Sequence, residues 1–276
     1  MRLIVYALCL ALVLSAVLIT GGCNRGGKGS GAKRIGVTLL TREHEFYRQL
    51  EAGLKDAADK QGYELIITSG DFDLAKQQSQ IENFVVQRVD AIIVCPADSK
   101  GIGPAIDRAN EARIPVFTAD IAAQGGQVVS HIASDNLSGG RLAADFIAKA
   151  LNGQGNVGII GQQELQTGLD REMGFKEEMK KYPGIKIVSV LNGGGVRDRA
   201  LKAADDMLQG NSDLKAILRG SSLKADVAQQ PRDLGAKTIE ALVAHFSGGQ
   251  VPKSIAVPVK VVDANALKEQ GGAASQ

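Results

Sequence analysis

Beyond residue 33 the chain alternates short apolar runs with amphipathic stretches. Arg34–Leu40 reads as a β-strand, and the helix after it places Tyr47, Leu50, Leu54 and Ala58 at spacings of 3, 4 and 4, a single apolar face. Glu64–Ser69 is the next strand, Leu74–Val89 a helix with Ile81 and Val85 inward, Ala91–Cys95 a strand, Gly103–Ala112 a helix and Ile114–Asp120 a strand. After a further strand at Val128–Ala133 the rhythm resumes. It runs through helix Gly140–Leu151, strand Asn156–Gly161, helix Leu169–Tyr182, strand Ile185–Leu191, helix Arg199–Leu208 and strand Leu214–Leu218. Apolar strands joined by amphipathic helices predict an α/β fold with parallel sheets covered on both faces. Two successive units of this size exceed one comfortable core, so the pattern predicts two lobes.

The rhythm breaks at Arg219–Ser222. These residues separate Leu218 from a second apolar run, and parallel neighbours in one sheet need a crossover of about a dozen residues or more. The two strands must therefore form an antiparallel hairpin, or the second must leave the sheet of the first. A helix from Arg232 to Phe246 and a run Ile255–Val262 follow, and Gly271–Gln276 reads as a frayed tail.

The N-terminus changes the picture. Met1-Arg2, an apolar run from Leu3 to Ile19 and then Thr20-Gly21-Gly22-Cys23 follow the positive, apolar, small-residue order of a secretion signal, with a transmembrane anchor as the rival reading. The run is short for a span of roughly 20 residues. It resembles a bacterial lipoprotein signal (1–22) cleaved before Cys23, which would carry the lipid, although Thr20 stands where such signals have Leu, Val or Ile. Residues 23–33, rich in Gly, then make a flexible tether. Cleavage and lipidation would leave Cys95 as the one thiol, which excludes a disulfide framework within the mature chain. A formal charge of +2 in 276 residues gives no sign of nucleic acid as a partner.

Ligands of open parallel sheets bind outside the carboxyl ends of the strands. The loops there offer Thr41-Arg42-Glu43-His44-Glu45-Phe46-Tyr47, then Asp71, Cys95 to Asp98, Asp120, Gln162, Gln163 and Asn192. They supply hydrogen-bonding groups, and Phe46 or Tyr47 can cover an apolar ring face. Asp71 and Asp98 also precede helical patterns, where a carboxylate serves as a cap. Catalytic signatures are missing: His44, His131 and His245 are scattered without a second metal ligand at suitable spacing, and Cys95 has no histidine nearby in sequence. Cys95 reads as a small core residue and His131 as a structural histidine. Gly153-Gln-Gly155-Asn-Val-Gly158 matches the dinucleotide fingerprint in letters only, because it follows a helix and opens a strand.

Three stretches carry a resemblance: "VVSHIASDN" (Val128–Asn136), "GYELIITSGDFDLAKQQSQIENFVVQRVDAIIVCPADS" (Gly62–Ser99) and "DVAQQPRDLGAKTIEAL" (Asp226–Leu242). They are similar to the ribose-binding type of periplasmic sugar-binding protein, the receptor of ABC importers, and the similarity extends from about Lys33 to Val262. The resemblance implies two lobes joined by three crossings, near Ser134–Asp135, Gln229–Gln230 and Pro258–Val259. One lobe would be 33–134 plus 230–258, the other 135–229 plus 259–270. It implies ligand contacts from His44, Phe46, Tyr47, Asp120 and Gln229, no cofactor and no metal. The partners implied are a sugar or related polyol and an importer permease or chemoreceptor, for a monomer at the outer face of a membrane.

The chain departs from that family at several points. Ile121 stands where ribose-specific members carry Arg, Leu169 falls where a second ligand arginine would, and Cys95 replaces an Asn. Arg171 fits the R-x-x-G-F pattern ending Gly174-Phe175 and reads as structural. Between Leu218 and Leu223 the family has a helix, a strand and a helix, roughly 40 residues at ordinary lengths. An Asn and an Asp that bind ligand in relatives go with them. Each lost buried side chain removes about 1.5–3 kcal/mol from a margin of about 5–15 kcal/mol. Three readings compete: a carbohydrate receptor with a reduced second lobe, a degenerate receptor that no longer binds, and an exported α/β enzyme. A transcription regulator of the same sensor fold would need a DNA-binding helix pair where the signal segment lies.

Overall fold

The computed structural model describes residues 31–163, 165–194, 197–219 and 225–263. The signal, Cys23 and the tether up to residue 30, the connection 220–224 and the tail from 264 onward lie outside the described residues. No described helix is long and apolar enough to cross a membrane.

The first half begins with β1 (Arg34–Leu39), α1 (Glu45–Gln61), β2 (Glu64–Ser69), α2 (Leu74–Val86), β3 (Ala91–Val94), α3 (Gly103–Glu111), β4 (Val116–Ala119) and β5 (Val128–Ser134). The predicted elements are present, with ends shifted by a few residues. The second half adds α4 (Asn136–Ala150), β6 (Gly155–Gly161), α5 (Gln166–Met179), β7 (Ile185–Asn192), α6 (Arg197–Gly210), β8 (Leu214–Arg219) and β9 (Ala225–Ala228). The chain then returns through α7 (Pro231–Phe246), β10 (Ser254–Val257) and β11 (Lys260–Asp263).

Five strands and β10 form one parallel sheet, ordered β10-β5-β4-β3-β1-β2. β1, β3 and β4 are almost wholly buried because helices cover both faces, which is why they read as continuous apolar runs. The helix after β1 buries the predicted stripe of Tyr47, Leu50, Leu54 and Ala58, and Gly62 ends it at φ 65 in the left-handed conformation of a C-cap. On α2 the inward residues are Gln77, Ile81 and Phe84, with Val85 only half-buried. α1 crosses α7 so closely that a Cβ on Gly53 would lie 2.1 Å from the Arg232 carbonyl oxygen and one on Gly235 2.5 Å from that of Leu50.

The second sheet has three strands in the order β7-β6-β8, all parallel. Its helices repeat the close crossing: a Cβ on Gly140 of α4 would stand 2.0 Å from the Arg171 oxygen, and one on Gly174 of α5 2.0 Å from that of Leu137. Of the two outcomes predicted for the break after Leu218, the hairpin is not formed. β9 leaves the sheet of β8 and pairs antiparallel with β11 in a separate two-stranded ribbon. β8 is consequently an edge strand among the described residues. The run Ile255–Val262 is divided between the six-stranded sheet and this ribbon, because β10 pairs with β5 and β11 with β9.

Candidate functional site

In the six-stranded sheet the chain order reverses between β1 and β3: β1 leads through α1 to β2 on one side, and β2 returns through α2 to β3 on the other. Helices on either side of such a switch point diverge, which opens a crevice at the carboxyl ends of the strands. The loops after β1, β3 and β4 end there, and Tyr47 and Asp120 meet among them.

His44 is the N-cap of α1. It is exposed, and its Nδ1 accepts the Phe46 backbone N–H at 3.2 Å. The cap turns the chain so that Phe46 and Tyr47 follow in the first helical turn. Their rings meet edge to face at 5.1 Å, and the His44 ring stands edge-on to Tyr47 at 6.4 Å. Phe46 is half-buried, whereas Tyr47 is 6% exposed and donates its hydroxyl to Asp120 Oδ2 at 2.6 Å.

Asp120 follows β4 with φ 68, in the left-handed region that a non-glycine residue adopts at a cost. Two bonds hold it there: the Tyr47 hydroxyl, and its own N–H to the Ile132 carbonyl at 2.8 Å. Burial pushes the Asp120 carboxyl above the ordinary range, and the Tyr47 bond, the Arg171 guanidinium and His44 each counteract that rise. Burial, followed by the charge of Asp120, pushes the Tyr47 phenol far upward, so it stays a donor. Cys95, fully buried after β3, has its thiol raised by desolvation and by Asp120, which describes an inert sulfur. Beneath it Gln77 ties the ends of β1 and β3 together: Nε2 donates to the Cys95 oxygen at 2.8 Å and to the Leu39 oxygen at 3.4 Å, while Oε1 accepts from Ala97 N at 2.7 Å.

A second group gathers where three passages of chain meet. Asp135 N donates to the Val257 oxygen, and Val257 is paired with Ser134. Ser134 Oγ donates to Gln229 Oε1 at 3.1 Å. Asn136 Nδ2 donates to the Ser134 oxygen at 3.0 Å, and its Oδ1 accepts from Arg171 Nε at 2.8 Å. Arg171 thus fastens α5 to the start of α4 and also acts electrostatically on Asp120. The bond to Asn136 suits the structural reading of this residue, and its charge acts on Asp120 across some fifty positions of sequence, which no local pattern announces.

All but one of the residues singled out elsewhere in the sequence lie apart from these groups, the exception being Ile121. Asp71 does not cap α2. Asp73 does, accepting Lys76 N at 3.1 Å, while Asp71 pairs with the Lys76 side chain and Ser69. Asp98 accepts from Lys100 N and Gly101 N in the turn before α3. His131 Nδ1 shares a 2.9 Å bond with Thr118 Oγ1 between β4 and β5, and His245 packs edge-on to Phe117. Asn192 holds Gly194 N after β7. Leu169 is exposed at 40%, and Ile121 is buried beside Asp120 in the cluster that contains Tyr47 and Cys95. The described residues contain no cluster of three or more His, Cys, Asp or Glu able to hold a metal.

Sequence reasoning missed Gln77 and Asn136, and named Ser134 only as one end of a crossing between lobes. Gln77 had a signal: it sits four residues before Ile81 on the buried face of α2, where a polar side chain needs a partner.

Residues 35–225 match the family described as periplasmic binding protein domain. The ribose import binding protein of Bacillus subtilis is 32% identical over 270 aligned positions, covering 84% of this chain and 88% of that protein. Since 84% of 276 residues is about 232, roughly 38 aligned positions of that relative have no counterpart here. A periplasmic solute-binding protein of an ABC transporter from Actinobacillus succinogenes, solved with D-allose, superposes with a TM-score of 0.78 at 22% identity, over 86% of this chain and 99% of that one. A solute-binding protein from Burkholderia graminis in complex with D-arabinose gives 0.75 at 25% identity, over 87% and 98%. The six- and three-stranded sheets therefore have the α/β fold of these solved proteins, and the chain belongs to the periplasmic binding protein family.

Proposed function

We propose that this chain is an exported, non-catalytic receptor that captures a small sugar or polyol and presents it to the permease of an ABC importer. The observation that carries the reading is the convergence of Tyr47 and Asp120, from distant parts of the chain, at the switch point of the first sheet. A desolvated carboxylate held in a costly backbone conformation is an acceptor set out in advance for hydroxyl donors, and the half-buried Phe46 beside it suits the apolar face of a sugar ring. His44 and Gln229 complete the ligand set. The sugars and sugar importers named for the relatives support the same substrate class.

The lobes in this reading are 33–134 with 230–258 and 135–229 with 259–270. The meeting of Ser134, Gln229 and Val257 supports a hinge there, about which the lobes close on ligand. Residues 1–22 act as the export signal, Cys23 carries the lipid and 23–33 is the tether of a monomer. Differential scanning fluorimetry against pentoses, hexoses and polyols tests the reading. A saturable rise in melting temperature with at least one of them, the sugar being recovered unaltered, is expected, and conversion of the sugar would refute it.

A second reading has its own support: the shortened second sheet and the missing aligned positions favour a receptor that keeps the ancestry and has lost binding. A folded protein whose melting temperature responds to no sugar would decide for it.

A further inference from the structure

The helices α1, α2, α3 and α7 flank the six-stranded sheet, and all four end in the same pair of backbone bonds. After α1, Gly62 N donates to the Asp59 oxygen and Tyr63 N to the Ala58 oxygen; Gly248 and Gly249 repeat the pattern after α7, Arg88 and Val89 after α2, and Arg113 and Ile114 after α3. The turn needs a left-handed residue, which glycine supplies without a clash. Gly62 and Gly248 stand there at φ 65 and 74, whereas α2 and α3 have arginine, at φ 52 and 59. An arginine in that conformation is costly to the backbone, so the turns themselves do not call for these two side chains. Both are exposed, and neither guanidinium has a hydrogen bond or ion pair among the described residues.

The two arginines line one groove of about 520 Å³ at the amino ends of β3 and β4, together with Val85, Asp90 and Ala112. Asp90 accepts from Lys33 Nζ at 2.6 Å and from Arg34 N at 2.8 Å, which pins the entry of the chain to the groove wall. The groove and the residues bonded to its walls hold four cations, Lys33, Arg34, Arg88 and Arg113, against the carboxylates of Asp90 and Glu64, the latter 3.8 Å from Arg34. Val86, two residues from Arg88, is 80% exposed. The segment from Cys23 to Arg34 carries Arg25, Lys28, Lys33 and Arg34 and no carboxylate. Ten residue steps from Cys23 to Lys33 reach about 35 Å at most, so a lipid on Cys23 keeps this end of the sheet within that distance of a bilayer.

We propose that the amino end of the six-stranded sheet is a membrane-docking face, on which Arg88 and Arg113 take the phosphates of anionic lipid headgroups and Val86 meets the apolar interface. A guanidinium matches a phosphate through paired N–H donors, and each cation close to an anionic surface favours it about fivefold. The face lies at the opposite ends of the strands from Tyr47 and Asp120, so docking leaves their crevice turned to solvent. The inference rests on the reading of residues 1–33 as signal and tether.

The chain from residue 23 onward, coupled through the Cys23 thiol to a maleimide lipid, tests it, since Cys95 is buried. Hydrogen exchange is followed on vesicles of phosphatidylcholine alone and with phosphatidylglycerol added. Protection at the ends of α2 and α3 on the anionic vesicles only, lost at high salt, is expected. Without coupling, cosedimentation with anionic vesicles should fall about twentyfold in Arg88→Gly/Arg113→Gly and persist in Arg88→Lys/Arg113→Lys. The glycine variant relieves two left-handed arginines and is expected to stay folded. Equal exchange on both kinds of vesicle, or protection confined to another face, overturns the proposal. Binding of inorganic phosphate without binding of vesicles marks a small-anion site and overturns it as well. An unmodified Cys23 in protein exported by a bacterial host would sink the anchor reading, and a melting temperature unmoved by every sugar the receptor reading; neither alters what the vesicles decide about this face.

Discussion

Gly53 against Gly235 in one half of the molecule and Gly140 against Gly174 in the other serve the same end: a helix pair brought to backbone contact over a parallel sheet. The halves nevertheless differ in what that contact shelters. The six-stranded sheet lies between two large buried clusters, one including Leu39, Leu50, Leu54 and Phe117, the other Ile81, Phe84, Ile92 and Ile106. The three-stranded sheet has two small ones, around Phe175 with Val157 and Ile159, and around Met207 with Ile160. Among the described residues the exposed large apolar side chains fall mostly on the smaller half, at Leu169, Met173, Val188, Leu201 and Leu208, against Phe72 and Val86 on the larger. The same local rules therefore predict less stability for the narrower sheet, because area removed from water grows with the number of covered strands. β8, an edge among the described residues, is the position where the narrower sheet stops.

The largest expected break in this comparison comes from paired phenylalanine truncations. Phe175→Ala and Phe84→Ala each empty a fully buried site and should cost about 3–5 kcal/mol. In the smaller half that is enough to melt residues around β6 to β8 separately, giving two calorimetric transitions. Phe84→Ala should lower a single main transition. One transition for both variants would show that the halves share one cooperative core.

A smaller effect is expected from the helix crossings. Gly140→Ala places a methyl about as close to a backbone carbonyl as Gly53→Ala does, so each should cost about 1–3 kcal/mol, or more where the backbone cannot yield. Hydrogen exchange should show the damage of the first confined to α4, α5 and β6, and that of the second spread through α1, α7 and the wide sheet.

The smallest effect concerns His131, whose imidazole burial pushes below the ordinary range. Its neutral form is favoured in the folded state, so its contribution is present above the unfolded imidazole pKa and is lost as pH falls through the imidazole range. Melting temperature should drop less between pH 7 and pH 5 in His131→Gln than in the wild type. An equal drop in both would remove His131 from the acid response.

Much of this architecture was legible in residues 34–263. The strand positions followed from runs such as Ile35–Leu39, and α1 from the 3-4-4 spacing of its apolar stripe. Tyr47 and Asp120 were found as loop residues at strand ends, because parallel sheets put chemistry there. Their mutual bond was not legible, since it joins positions 73 apart. His44 was read as a ligand group, and its capping bond to Phe46 emerged only with the turn geometry. The break after Leu218 left two outcomes open because strand pairing is decided by partners elsewhere: β9 follows β11, forty residues from the break, rather than its neighbour β8.

The most direct measurement is calorimetric titration of the protein produced from residue 23 onward with pentoses, hexoses and polyols, alongside Asp120→Ala. Saturable one-to-one binding that Asp120→Ala weakens by at least about a hundredfold, in a variant that remains folded, is the result expected for a carboxylate that grips the ligand. Binding of undiminished strength in Asp120→Ala would place the ligand elsewhere and contradict the account.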